Sequence, residues 1–146
     1  MIVKVKKLDE RAILPTYGSP QAAGADLYAL IEGESLTISE GETVLVRTGL
    51  SVEIPEGYVG LIYARSGLAT KKGLAPANKV GVVDADYRGE VKVALFNQSG
   101  VPQSIVAGER IAQFVIAPYL SATFEETDAL SDTVRGAGGF GSTGNK

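Results

Sequence analysis

Glycine and proline interrupt this sequence so regularly that only residues 1–14 and 119–135 run long enough without them for an ordinary helix. Eighteen Gly and six Pro are spread over 146 residues. Gly loses more conformational freedom on ordering than any other residue, and Pro lacks an amide donor, so both break helices. Helix-rich folds are therefore excluded. Between the breakers, apolar residues recur with a period of two. Leu50, Val52 and Ile54 flank Ser51 and Glu53, and after the Pro55-Glu56-Gly57 turn come Val59, Leu61 and Tyr63. Val91, Val93 and Leu95 alternate with Lys92, Ala94 and Phe96, and residues 111–116 form a short apolar run. Short strands between turn signals predict one all-β domain, a sandwich, jelly roll or barrel. The spacing predicts one short helix over residues 66–73, with Ser66 as N-cap, Lys71 and Lys72 in the last turn and a left-handed Gly73 ending it.

A hydrophobic content of 45% is enough to fill a core, since a chain of this length buries about 70% of its unfolded surface. Fourteen Lys and Arg against seventeen Asp and Glu leave a net charge of −3. That balance supplies no broad basic field, so neither nucleic acid nor an anionic membrane is an expected partner. The sequence has no Cys and no His, which excludes disulfides, thiolate or imidazole metal sites and Ser-His-Asp catalysis. A general base must then be Asp, Glu, Lys or Tyr. No apolar run is long enough to span a membrane, and no apolar signal segment follows Met1-Ile2-Val3-Lys4-Val5-Lys6-Lys7, so a cytoplasmic location is expected.

Three segments could carry chemistry. Residues 136–141 match G-x-G-x-x-G, but no βαβ unit surrounds them, and Ser142 stands where a phosphate-binding loop would place lysine. They offer backbone N–H groups, the Ser142 and Thr143 hydroxyls, the Arg135 cation and the Phe140 ring, a set suited either to a lid over a phosphorylated aromatic molecule or to a plain mobile terminus. Tyr63-Ala64-Arg65-Ser66-Gly67 sets a guanidinium beside a helix start, which reads equally as a phosphate site or as a solvated Arg next to a cap. Residues 81–91 read as a strand, a tight acidic turn and a returning strand that brings Lys92 back near Val82. Asp84, where the apolar run meets the turn, suits a general base holding water; alternatively Asp84 and Asp86 only hydrogen-bond the turn backbone. Asn97-Gln98-Ser99 has the form of a glycosylation acceptor but reads more simply as a turn.

Five segments in order, AGADLYA from Ala23, ARSGLA from Ala64, GVVDADYRGE from Gly81, GERIAQFVI from Gly108 and RGAGGFGSTG from Arg135, resemble the five motifs of the homotrimeric all-β deoxyuridine triphosphatase family. The resemblance spans residues 23–144. It implies a β jelly roll over residues 1–134 and an arm over 135–146 that crosses to a neighbour, each active site drawing on all three chains of a homotrimer. It implies hydrolysis of dUTP to dUMP and pyrophosphate, with Asp84 activating a water for in-line attack on the α-phosphorus. By the same resemblance, Arg65, Ser66 and Gly67 bind phosphate, and Gln113 lies on the phosphate side. Asn78 and the backbone of Gly81, Val82 and Val83, with Lys92 returning beside them, read uracil, while Tyr87 packs under the deoxyribose and leaves no room for a 2'-hydroxyl. Phe140 stacks on the base, and Arg135, Gly141, Ser142 and Thr143 close on the β and γ phosphates. Magnesium is implied as the companion of the triphosphate, with no direct protein ligand and with Asp26 reaching it through water. Two other readings are a related dCTP deaminase, against which Asp84-Ala85-Asp86-Tyr87 speaks, and a non-catalytic dUTP sensor that would use the same five motifs.

Overall fold

The alternating segments become antiparallel strands in the computed structural model, which describes residues 1–140. In chain order these are β1 (Lys4–Lys7), β2 (Thr16–Tyr17), β3 (Ala25–Tyr28), β4 (Ser35–Ile38), β5 (Thr43–Glu53), β6 (Tyr58–Ala64), then helix α1 (Ser66–Lys72), then β7 (Leu74–Pro76), β8 (Gly81–Val83), β9 (Val91–Asn97), β10 (Gln103–Val106) and β11 (Arg110–Pro118). They form a four-stranded sheet β1-β5-β9-β7, a five-stranded sheet β2-β3-β11-β6-β8 and a pair β10-β4, the all-β architecture that the alternation predicts and the jelly-roll-like form that the family resemblance implies. One core lies between the sheets, with Leu27, Ile38, Leu74, Leu95, Ile105 and Ile111 fully buried. Each such side chain contributes about 1.5–3 kcal/mol through burial. No helix among the described residues is long and apolar enough to cross a membrane.

Strand β6 buries the face opposite to the one its apolar pattern suggests. Gly60 and Ile62 turn inward, while Val59 and Leu61 are half-buried and Tyr63 is exposed. The reason is Phe114 on the paired strand β11, whose ring fills the place of a side chain at Gly60: a Cβ there would come within 2.5 Å of it. A glycine that faces a core is invisible to a hydrophobic pattern.

Strand β5 carries a bulge. Its register against β9 runs Arg47↔Lys92 and then Leu50↔Val91, which displaces Thr48 and Gly49 from the ladder. Gly49 takes φ +69° and packs so closely that a Cβ would lie 2.7 Å from Leu30, so only glycine fits. The bulge is held by Glu90, whose carboxylate accepts the Gly49 N–H at 2.8 Å and Arg47 Nε at 3.0 Å, and by Thr48 Oγ1, which donates to the Val91 carbonyl at 2.6 Å.

The helix forms, but Ser66 is not its cap. Arg65 takes the N-cap position in an extended conformation (φ −83°, ψ 127°), no side chain caps the helix, and Ser66 is the first helical residue. The chain leaves β6 at Ala64, and the Arg65 side chain turns away to Asp26 rather than toward the helix start. At the other end Gly73 is left-handed as expected, and Lys72 Nζ latches the helix to the Ser104 carbonyl and to Glu109, each at 2.8 Å.

Candidate active site

The turn after β8 does not close a two-stranded hairpin. Strand β8 pairs with β6 in one sheet, and β9 pairs with β5 and β7 in the other, so Val82 and Lys92 are not ladder partners. Seven residues separate these strands, and their turn is anchored sideways, by Ser51 Oγ donating to the Arg88 carbonyl at 2.7 Å and by Arg88 NH1 donating to the Ala85 carbonyl at 2.6 Å. The strands diverge and leave a cleft of about 410 Å³ between them, within the size range of small-molecule sites. Asn78, Gly81, Val82, Val83, Asp84, Tyr87 and Lys92 all line it, together with Leu45, Ile62, Glu90 and Val91. β8 is the last strand of its sheet, so one of its backbone edges belongs to no ladder among the described residues. Unpaired N–H and C=O groups at such an edge can hydrogen-bond a planar ligand as they would another strand.

Asp84 follows β8 directly and sits on the rim shared with a second cleft of about 650 Å³, which is lined by Tyr58, Val59, Leu61, Tyr119 and others. Neither Asp84 nor Asp86 hydrogen-bonds the turn backbone through its side chain; the turn closes instead with the Tyr87 N–H donating to the Asp84 carbonyl at 3.1 Å. The Asp84 carboxylate has no donor among the described residues and is open to solvent. Asn78 stands in the β7–β8 turn, its Nδ2 3.4 Å from where a Cβ on Gly81 would be.

A second polar cluster occupies the outer face of the five-stranded sheet. Asp26 on β3 is directly opposite Gln113 on β11, which is opposite Tyr63 on β6. Asp26 is only 3% exposed, and both carboxylate oxygens are engaged: Oδ1 accepts Arg65 Nε at 2.8 Å and Oδ2 accepts Arg110 NH1 at 3.2 Å. One buried carboxylate thus orients two guanidinium groups beside the start of α1, where Ser66 and Gly67 are exposed. Arg110 was not among the residues singled out from sequence, although it stands in the same segment as Gln113. Glu90 was likewise hidden inside a recognisable segment, because its partners Arg47 and Gly49 lie on a distant strand.

Arg65, Ser66, Gly67 and Gln113 line neither cleft. Arg135 and Phe140 lie on the stretch after β11, which has no strand or helix through residue 140; Arg135 Nε donates to the Gly138 carbonyl at 2.8 Å, and Phe140 is fully exposed. The expected boundary between residues 134 and 135 falls inside that stretch, which begins after Pro118. Gly141, Ser142 and Thr143 lie outside the described residues.

A family model for dUTPase matches residues 10–144. This chain belongs to the dUTPase family. The deoxyuridine 5'-triphosphate nucleotidohydrolase of Nautilia profundicola is 50% identical to it over 99% of both chains. Among solved structures, the dUTPase of Staphylococcus bacteriophage 80alpha matches with a TM-score of 0.88 at 29% identity, covering 98% of each chain. The dUTPase of phage phi11 of S. aureus matches with a TM-score of 0.78 at 25% identity, covering 88% of this chain and 98% of that one. Within this dUTPase fold, the cleft residues from Gly81 to Glu90 and the Asp26 cluster come from segments recognised in the sequence, Asn78 and Lys92 flank one of those segments, and Arg65, Ser66, Gly67 and Gln113 line neither cleft of the same chain.

Proposed function

We propose that this chain hydrolyses dUTP to dUMP and pyrophosphate, in active sites assembled between copies of a homotrimer. The observation that carries the reading is the cleft between β8 and β9, which gathers Asn78, Gly81, Val82, Val83, Asp84, Tyr87 and Lys92 within one chain of a dUTPase fold. The phage 80alpha relative was solved with dUpNHpp, a dUTP-like ligand, which supports a nucleotide in this fold.

The free edge of β8 and the Asn78 amide read the uracil edge, while the narrow cleft rejects the amino group of cytosine by donor mismatch and the methyl of thymine by exclusion. Asp84 holds a water and takes one of its protons as the oxygen attacks the α-phosphorus. The new P–O bond forms as the bond to the α–β bridging oxygen breaks, and pyrophosphate carries away that electron pair. A positioned base of this kind contributes roughly 10²–10⁴ in rate. Arg65, Ser66, Gly67 and Gln113 bind the triphosphate oxygens. Because they line a different face from the cleft of their own chain, a neighbouring copy presents them to it. Residues 135–146 close over the site as an arm, Phe140 on the base and Arg135, Gly141, Ser142 and Thr143 on the terminal phosphates.

Among the described residues no three acidic side chains converge to form a metal cage, and Asp26 already accepts two guanidinium groups. Magnesium would accompany the triphosphate, held by phosphate oxygens and water, whereas Asp26, 3% exposed and engaged at both oxygens by arginines, is not free to take the outer-shell role expected of it. The phi11 relative is described with a structural Mg(II) ion. When bound, the ion supplies charge neutralisation on the phosphates.

Pyrophosphate release from dUTP, dCTP, dTTP and UTP, each with magnesium and then with chelator, tests the reading. Magnesium-dependent release from dUTP alone is expected. Ammonia from dCTP would replace it with a deaminase, and dUTP binding without release would replace it with a sensor.

A further inference from the structure

The turn between β8 and β9 contains a glycine that its backbone does not require. Gly89 is not among the residues with positive φ, so the left-handed region does not explain it. Its environment does. A Cβ built on Gly89 would lie 2.5 Å from Cζ and 2.8 Å from Cε2 of Tyr87, with the phenol oxygen closer still. The Tyr87 ring occupies the space that a side chain at 89 would take, and its hydroxyl donates to the Glu90 carbonyl at 3.0 Å. Glu90 is itself anchored, since its carboxylate is bonded to Arg47 and to the Gly49 N–H on the β5 bulge. A chain of contacts therefore runs from a rigid bulge through Glu90 to one aromatic ring on the wall of the cleft.

We propose that Gly89 and the Glu90 carbonyl are positioning elements that hold the Tyr87 ring on the sugar side of the cleft and so set the preference for a deoxyribose over a ribose nucleotide. The inference rests on reading this cleft as the nucleoside pocket. Steric exclusion of one hydroxyl works only if the excluding ring cannot yield, because a ring free to swing aside admits the larger sugar. Tyr87 belongs to a short turn and is 46% exposed, so core packing alone does not immobilise it. The vacancy at Gly89 lets the ring lie against the backbone, and the bond to Glu90 fixes its far end. Gly89 does not line the cleft, and the Glu90 carbonyl is engaged by the Tyr87 hydroxyl, so both act through Tyr87.

The test compares kcat/KM for dUTP, UTP and dTTP in the wild type, Gly89→Ala, Tyr87→Phe, Tyr87→Ala and Gly89→Ala/Tyr87→Ala. The added methyl meets the end of an exposed side chain, not the core, so Gly89→Ala folds with the ring displaced. Its preference for dUTP over UTP is expected to fall by roughly tenfold or more, while preference for dUTP over dTTP, which reports on the base, stays within about twofold. Tyr87→Phe, which loses only the bond to Glu90, is expected to lower the sugar preference by less. In the Tyr87→Ala background, Gly89→Ala should have no further effect on the sugar preference. An unchanged sugar preference in folded Gly89→Ala, an equal loss of both preferences, or a persisting effect of Gly89→Ala without the ring would overturn the proposal. Should Gly89→Ala fail to fold, an unchanged sugar preference in Tyr87→Phe overturns it instead. A wild type that does not turn over dUTP, or does not prefer it to UTP, would overturn the reading of the cleft itself.

Discussion

Asp84 comes immediately after β8, so the strand that presents its backbone edge to the cleft also delivers this carboxylate to its rim. Asp84→Asn keeps the shape and loses the basicity. Turnover of dUTP should fall by roughly 10²–10⁴ while nucleotide affinity is kept, as read by single-turnover rates beside equilibrium titration. Near-normal turnover would remove Asp84 from the proton-transfer step. Asp26 is the opposite kind of carboxylate, buried and fully engaged. Its charge compensates two arginines whose side chains are 26% and 50% exposed, so solvent shares that task with it. Asp26→Asn should therefore destabilise the fold by about 1–3 kcal/mol rather than by the larger cost of a wholly buried pair. It should also raise KM for dUTP more than it lowers kcat, because Arg65 loses its fixed orientation. Urea unfolding and steady-state kinetics check the two effects separately, and an unchanged KM would mean that Arg65 is held by something other than Asp26.

At the scale of elements, the segment before β2 is tied down by a surface trio. Arg11 donates to Asp9 at 2.8 Å and to Glu32, beyond β3, at 2.9 Å. The Arg11 side chain, followed by its backbone N–H, pulls the Asp9 carboxyl from its ordinary 3.8 to about 2, and the same side chain lowers Glu32. A carboxyl whose pKa is depressed by folding adds stability above its unfolded value and loses it as pH falls through the folded one. The difference in Tm between wild type and Arg11→Gln should therefore be present at neutral pH, shrink from about pH 3.8 towards pH 2, and also shrink in high salt, because the trio is at the surface. A difference that persists at pH 2 would point to packing of the Arg11 stem. Elements of this kind also mark where sequence reading stops. Strands β5 and β9 were legible because Leu50, Val52, Val91, Val93 and Leu95 alternate and are all buried. The inward face of β6 was not, because its inward residue is Gly60. The bulge at Gly49 and the ion pairs of Asp26 depend on partners that only the fold brings near, 39 and 84 residues away for Arg65 and Arg110. Asp84 and Tyr87 were legible through their segment, Asn78 only through the family resemblance, and Lys92 as the return after the turn; all four share one cleft, whereas the expected hairpin ladder between Val82 and Lys92 failed because each strand pairs within its own sheet.

For the whole molecule, the stretch after β11 raises a question of energetics. Leu120, Phe124, Leu130 and Val134 are each at least 87% exposed on the single chain. Four large apolar side chains left in water would forgo about 1.5–3 kcal/mol each, and a run of them on one extended segment marks a surface meant for contact. In the proposed homotrimer, residues 119–134 would lie along a neighbour and carry the arm to its site. The two parts of the segment then have separable roles. Truncation after Val134 removes residues whose described hydrogen bonds, such as Arg135 to Gly138, are local. It should leave a folded trimer with greatly reduced turnover. Truncation after Pro118 keeps every strand but strips all four apolar side chains, and should shift the assembly toward smaller species that keep the β-sheet circular dichroism spectrum. Light scattering across a dilution series distinguishes the two variants. If the truncation after Pro118 stays trimeric, assembly rests on the sheet faces around Val59 and Leu61. If the shorter one already dissociates, residues 135–146 hold the trimer together as well as closing the site.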